Sequence, residues 1–496
     1  MPSDFLTEYR QRFSDYHAIL NRDAYLFLAG RKAQRETQAL AADYSDLFTS
    51  AALTALQQEL AAATRSLDRA GLQVLLAAAT HEHLNFRMRP LTTEIAAYEA
   101  HATIRWEGEA VSFAAAANLL RNEANPTRRH DLAARRAEVI KGGQDLRAER
   151  LENLQDAARA LGAESYLALS RERNGVDYEA LATKAQSLLT QTESRYVAAL
   201  SPLLTLEAHI TLDAATSADL NYFHRLTRFD PPFPAWQLKH AYRETFSGLG
   251  ILTYKQDNLE IDDAVRAGKS ARPNHFPVRV PDEIKITLTP RDGADYYVAF
   301  LHEIAHAQQY AWTSRNLFPE FQLAGDGAVR EAFALLFGGL LRDERWLGDV
   351  LSYHESNELR HILTVQRLLR IRRHAAKSLY EVELHAGKLS DFAGARYSEL
   401  LTEAVRVRYD DTEHLRDVSD DFASADYVRA CAFEAQLREQ LKTKYGSRWW
   451  TSRKAGDYLI DLWNTGGRYS ADDMARMIDL GELSFDWLAE ECLSQL

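Results

Sequence analysis

Asp295-Tyr-Tyr-Val-Ala-Phe-Leu-His302-Glu303-Ile-Ala-His306 is the stretch from which both the fold and the chemistry of this 496-residue chain are read. Val298, Phe300, Leu301, Ile304 and Ala305 supply the apolar body of a helix, and Asp295 is the residue expected to cap it. Residues four apart on a helix share a face, so His302 and His306 can reach one cation while Glu303 points towards the same open coordination position. In a chain with 16 histidines the pattern arises by accident on the order of a per cent of the time. A third ligand is therefore needed before it reads as a metal site.

Glu331, twenty-five residues beyond the second histidine, supplies that candidate. Thr313-Ser-Arg-Asn316 and Phe318-Pro319 break the chain, so a second helix from about residue 327 can fold back beside the first. Glu331 then precedes an apolar stripe of Phe333, Leu335, Leu336 and Leu340. A carboxylate near a helix start also has a purely electrostatic explanation, since the dipole favours negative charge there. Two imidazoles and one carboxylate, with a place left for water, form the donor set of a catalytic zinc. The expected cofactor is one Zn2+ ion held by His302, His306 and Glu331. Glu303 is expected to take the proton of the attacking water and return it to a leaving amine, which makes amide hydrolysis the natural reaction class.

Working outward, the first two hundred residues read as successive amphipathic helices rich in Ala, Leu, Glu, Arg and Gln. Leu53-Thr-Ala-Leu-Gln-Gln-Glu-Leu60 and Leu151-Glu-Asn-Leu-Gln-Asp-Ala-Ala158 carry the helical spacing. Asn125-Pro126-Thr127 marks a helix start and Gly142-Gly143 a weak break. Phe229-Asp-Pro-Pro-Phe-Pro234 cannot continue a helix and is the best boundary, dividing a helical half, 1–228, from a catalytic half, 229–496. His275-Phe-Pro-Val-Arg-Val-Pro281 and Glu283-Ile-Lys-Ile-Thr-Leu-Thr289 alternate like short strands ahead of the histidine helix. Helices are expected again at 325–341, 359–386, 427–444 and 471–480. The fold class is mainly α with a small β-sheet next to the zinc-binding helix.

Ordinary globular composition, 46% hydrophobic and 26% charged, lets the chain bury a sizeable core. Two cysteines, Cys431 and Cys492, are too few for a disulfide framework and fit a reducing, cytoplasmic setting. The first residues lack an apolar signal segment, and no uncharged apolar run is long enough to span a bilayer, so no membrane role is expected. A net charge of −12 opposes nucleic-acid binding. The basic cluster Arg367, Arg370, Arg372, Arg373 and Lys377 reads as a solvated helix face among acidic neighbours.

The histidine motif, the Glu331 spacing, Gly268-Lys-Ser-Ala-Arg-Pro-Asn-His-Phe-Pro-Val278 and Pro281 together resemble the thimet oligopeptidase and oligoendopeptidase F family of gluzincins, and more distantly angiotensin-converting enzyme. The likeness runs more weakly through Arg372-Arg-His-Ala-Ala-Lys377, Leu379-Tyr-Glu-Val-Glu-Leu-His385 and Asp426-Tyr-Val-Arg429. It implies a large helical ellipsoid with a deep channel, zinc at its floor and short peptides as substrates. It also implies an edge strand over 274–280, carrying His275, where a peptide pairs with the backbone. Family members carry a late tyrosine or histidine that donates to the developing oxyanion. Here Tyr427 fits one such tyrosine, while Ala430 and Asp420 stand where another tyrosine and a histidine are expected. Leu335 stands where an acidic partner of the histidines is expected, leaving Asp326 or a backbone carbonyl to substitute.

The function these readings point to is a zinc metallopeptidase of short peptides. A carboxypeptidase, dipeptidase or small-amide hydrolase on the same site remains open, with Arg429 or Tyr427 gripping a free carboxylate. So does a catalytically impaired peptide-binding protein of the same fold, motivated by Ala430 and Leu335.

Overall fold

The computed structural model describes residues 3–388 and 392–496, and its helices start where local chemistry supplies a cap. Ser3 accepts from the Leu6 N–H ahead of Asp4–Leu28, and Asn125 accepts from Thr127 and Arg128 ahead of Pro126–Gly142. Asp326 accepts from Ala328 ahead of Gly327–Gly338. Each such bond satisfies an N–H that the first helical turn leaves unpaired. The protein is mainly α, 69% helical, with one two-stranded and one three-stranded sheet among the described residues. Among the described residues no helix is long and apolar enough to cross a membrane.

Two compact units share the chain, each assembled from three segments rather than from successive halves. One boundary falls at 228/229, beside the Pro-rich break. The first unit comprises 1–86, 229–360 and 429–483; the second comprises 87–228, 361–428 and 484–496.

In the first unit, Leu6, Tyr9, Phe13, Tyr16 and Tyr25 turn the buried face of Asp4–Leu28 inward. Tyr25 packs edge-on to Phe276, with ring centroids 5.7 Å apart. Phe276 belongs to the edge strand Asn274–Arg279, which pairs antiparallel with Glu283–Thr287. The third strand, Leu259–Asp262, runs parallel to Glu283–Thr287 on its other side and was not foreseen. The sheet lies against the histidine helix, Ala294–Trp312. Asp295 does not cap that helix: Gly293 occupies the cap, and Asp295 sits in the first turn, paired with Arg291 at 2.8 Å.

Gly327–Gly338 packs along the histidine helix, and Gly338 sets how close the two come. A Cβ placed there would lie 3.3 Å from the Val298 carbonyl oxygen and 3.5 Å from His302 Cβ. At the other end, Gly325 has φ of +113°, and a Cβ on it would meet the Gly467 backbone at 2.5 Å, so only glycine fits. Asp326 follows at once. Besides capping, it accepts from the Ala471 N–H at 2.9 Å and from both terminal nitrogens of Arg429 at 2.9 and 2.6 Å.

The second unit opens its packed core on a hairpin, Thr103–Trp106 with Glu109–Ser112, where only helices were expected. Glu107 and Gly108 turn it with φ of 52° and 87°. Ile104 and Trp106 join Phe113, Leu120, Leu132 and Ile140 in one buried cluster. The expected basic face is not a solvated one. Arg367, Arg372 and Lys377 are buried. Arg367 pairs with Glu491, Arg372 with Glu193, and Arg373 and Lys377 both with Asp417. Burial of such charges requires a partner, and each partner comes from a distant part of the chain.

Candidate metal centre

One helical turn separates His302 from His306, and both imidazoles emerge from the same side of Ala294–Trp312. Their rings stand 4.8 Å apart and nearly perpendicular, at 83°. From the neighbouring helix Glu331 brings Oε2 to 3.7 Å from His302 Nε2 and 3.6 Å from His306 Nε2. One donor atom from each of the three lies within 4.8 Å of the others. Among the described residues this is the one group of three such side chains able to hold a metal ion.

The donor set fits zinc. A tetrahedral ion with bonds of about 2.0–2.1 Å needs donors about 3.4 Å apart, so the carboxylate oxygen stands within a few tenths of an ångström of the required separation. Burial and the neighbouring His275 push His306 down to about 4, against the opposing pull of Glu331. At neutral pH its ring is therefore uncharged and its lone pair open to a cation. The outer contacts are thinner. Among the described residues, His306 Nδ1 is buried without a hydrogen-bond partner, and so is Oε1 of Gln309, three residues further along the same helix. Asp326, one of the two substitutes for the acid missing at Leu335, is instead committed to Arg429, Ala328 and Ala471.

Glu303 turns to the sheet. Its Oε2 accepts from His275 Nδ1 at 2.6 Å and from the His275 backbone N–H at 3.2 Å. Burial pushes the carboxyl up, but the His275 hydrogen bond and the charges of His275, His302 and His306 outweigh it and hold Glu303 below its ordinary range. The group is a carboxylate at neutral pH, with Oε1 uncommitted. His275 also stacks on His306 at 4.5 Å and on Tyr310 at 5.9 Å.

His275 was expected to serve a paired peptide, yet its N–H is already taken by Glu303, and Pro277 has no N–H to offer. Backbone recognition along this edge would have to rely mainly on its carbonyls. Its role as the partner of Glu303 was not read from the sequence, because strand and helix meet there across 28 residues.

Arg429 is 4% exposed and engaged by Asp326 and by Asp472 at 3.3 Å, a structural knot at the start of the Glu331 helix. Tyr427 falls in the second unit, where its ring stacks on His374 at 4.2 Å. No protein-family model matches this chain, and no curated protein matches it at a significant level.

Proposed function

We propose that the chain is a zinc-dependent hydrolase of peptide amide bonds, acting on short peptides in the manner its resemblance to the oligopeptidases implies. The supporting observation is the meeting of His302, His306 and Glu331 at one point beside an ionised Glu303. When bound, zinc polarises the scissile carbonyl and acidifies water. Glu303 Oε1 accepts a proton as the water oxygen bonds to the carbonyl carbon, and then delivers that proton to the amide nitrogen as the C–N bond breaks and the amine leaves. His275 holds the other oxygen of Glu303 and fixes which one faces the reaction.

Endopeptidase cleavage is the preferred mode, because Arg429, the candidate for gripping a terminal carboxylate, is engaged by Asp326. The test is cleavage of an unbiased peptide library by zinc-loaded protein and by Glu303→Gln. Loss of turnover in the variant with unchanged zinc content supports the proposal; equal turnover removes Glu303 from the chemistry. Absence of any cleaved peptide from the loaded wild-type protein overturns the peptidase reading.

A further inference from the structure

A cavity of about 370 Å³ is lined wholly by residues of the second unit and has no part in the proposed hydrolysis. Its charged wall carries three guanidinium groups, Arg147, Arg150 and Arg416, but only two carboxylates, Glu99 and Asp420. Glu99 is shared: it accepts from Arg147 and, at 2.8 Å, from Nε of Arg416. Asp420 accepts from Arg150 Nη2 at 2.5 Å. One step outward, Glu413 pairs with both Arg136 and Arg416, adding one charge of each sign. One positive charge is left over, in a chain whose net charge is −12. Arg150 Nη1 has no partner among the described residues, and the Arg150 and Arg416 side chains are 23% and 31% exposed.

The lining also includes the apolar side chains of Leu151, Leu384, Leu415 and Val418. Next to Asp420 lies His385, fully buried, its Nε2 4.0 Å from Asp420 Oδ1. Burial pushes this imidazole below its ordinary range, against the opposing pull of Asp420.

We infer that this cavity is a binding site for a small organic monoanion, a carboxylate head on a short apolar body. The single surplus charge matches one carboxylate, and a phosphate dianion would overbalance it beside Glu99 and Asp420. Arginine's planar fork grips a carboxylate with two parallel hydrogen bonds. At about 30 Å³ per water-sized group, the volume admits about a dozen non-hydrogen atoms. The site is independent of the metal centre and of the peptidase reading.

Octanoate is a suitable probe, with octanol and inorganic phosphate as controls, measured on the full chain by calorimetry and thermal shift. Octanoate is expected to bind saturably at one site. Arg150→Gln and Arg416→Gln, each checked for native circular dichroism, weaken it about tenfold, the loss of one charged hydrogen bond. Octanol gives no saturable signal and phosphate binds less tightly than octanoate. The inference is overturned if octanoate does not saturate, if both folded variants bind it as the wild type does, or if octanol or phosphate binds equally well.

Discussion

Gly338→Val tests whether the spacing of two helices sets the metal centre. The glycine faces the histidine helix, where a Cβ would already stand 3.3 Å from the Val298 carbonyl oxygen and 3.5 Å from His302 Cβ. Valine adds two methyl groups beyond that Cβ, so the helices must part by on the order of an ångström, at a cost of about 1–3 kcal/mol for an overpacked core. Glu331 lies two turns earlier on the same face, about 10 Å along the axis, and moves with its helix. Its oxygen now stands 3.6–3.7 Å from the two ring nitrogens and must close to about 3.4 Å to share an ion with them. Moving it outward should weaken zinc binding by at least about tenfold, since a displaced ligand loses more than the outer contacts whose loss costs 10–100-fold. Gly338→Ala, which asks its neighbours to give only a few tenths of an ångström and gains up to about 1 kcal/mol in helix propensity, should stay close to wild type. Chelator competition gives the zinc affinity and urea unfolding the stability. Wild-type zinc affinity in folded Gly338→Val would refute the reasoning.

Other outcomes follow from the same geometry. His275→Phe keeps a ring against His306 but removes the hydrogen bond to Glu303; turnover should fall by at least about tenfold with zinc content intact, and unchanged turnover would dismiss His275. If Gln309 rotates to accept from His306 Nδ1 when metal binds, Gln309→Leu weakens zinc by about tenfold, the loss of an outer partner; equal affinities for the two proteins would exclude the contact. Glu381, in the second unit, has one carboxylate oxygen buried without a partner among the described residues, and burial pushes the group up to about 7 against the charge of Lys377. The folded chain therefore holds this proton more tightly than the unfolded one, and the stabilisation, full below about 4.5, is lost as the pH rises through about 7, by about 3 kcal/mol. Unfolding titrations should show Glu381→Gln lacking that slope, and parallel pH profiles would count against it.

What the sequence could reveal depended on how local the signal was. His302 and His306 sit one turn apart, and the break at 313–319 places a helix start near 327 from residue chemistry alone, as observed. The strands Asn274–Arg279 and Glu283–Thr287 showed in their alternation. Leu259–Asp262 did not, because four residues paired in parallel with a strand more than twenty residues away leave no turn signal. The hairpin turn at Glu107-Gly108 lacked the Asn or Asp that usually announces φ above zero. Partnerships across the chain were the least visible. Spacing alone could not link Arg372 with Glu193, Arg429 with Asp326 or His275 with Glu303, since each joins elements brought together only by packing.

The central claim is that His302, His306 and Glu331 hold one zinc ion, and anomalous diffraction at the zinc edge from crystals of the zinc-loaded chain tests it most directly. The account predicts a single strong peak within bonding distance of both Nε2 atoms and a Glu331 carboxylate oxygen. A map with no peak there, or with Glu331 turned away from the two rings, would contradict it.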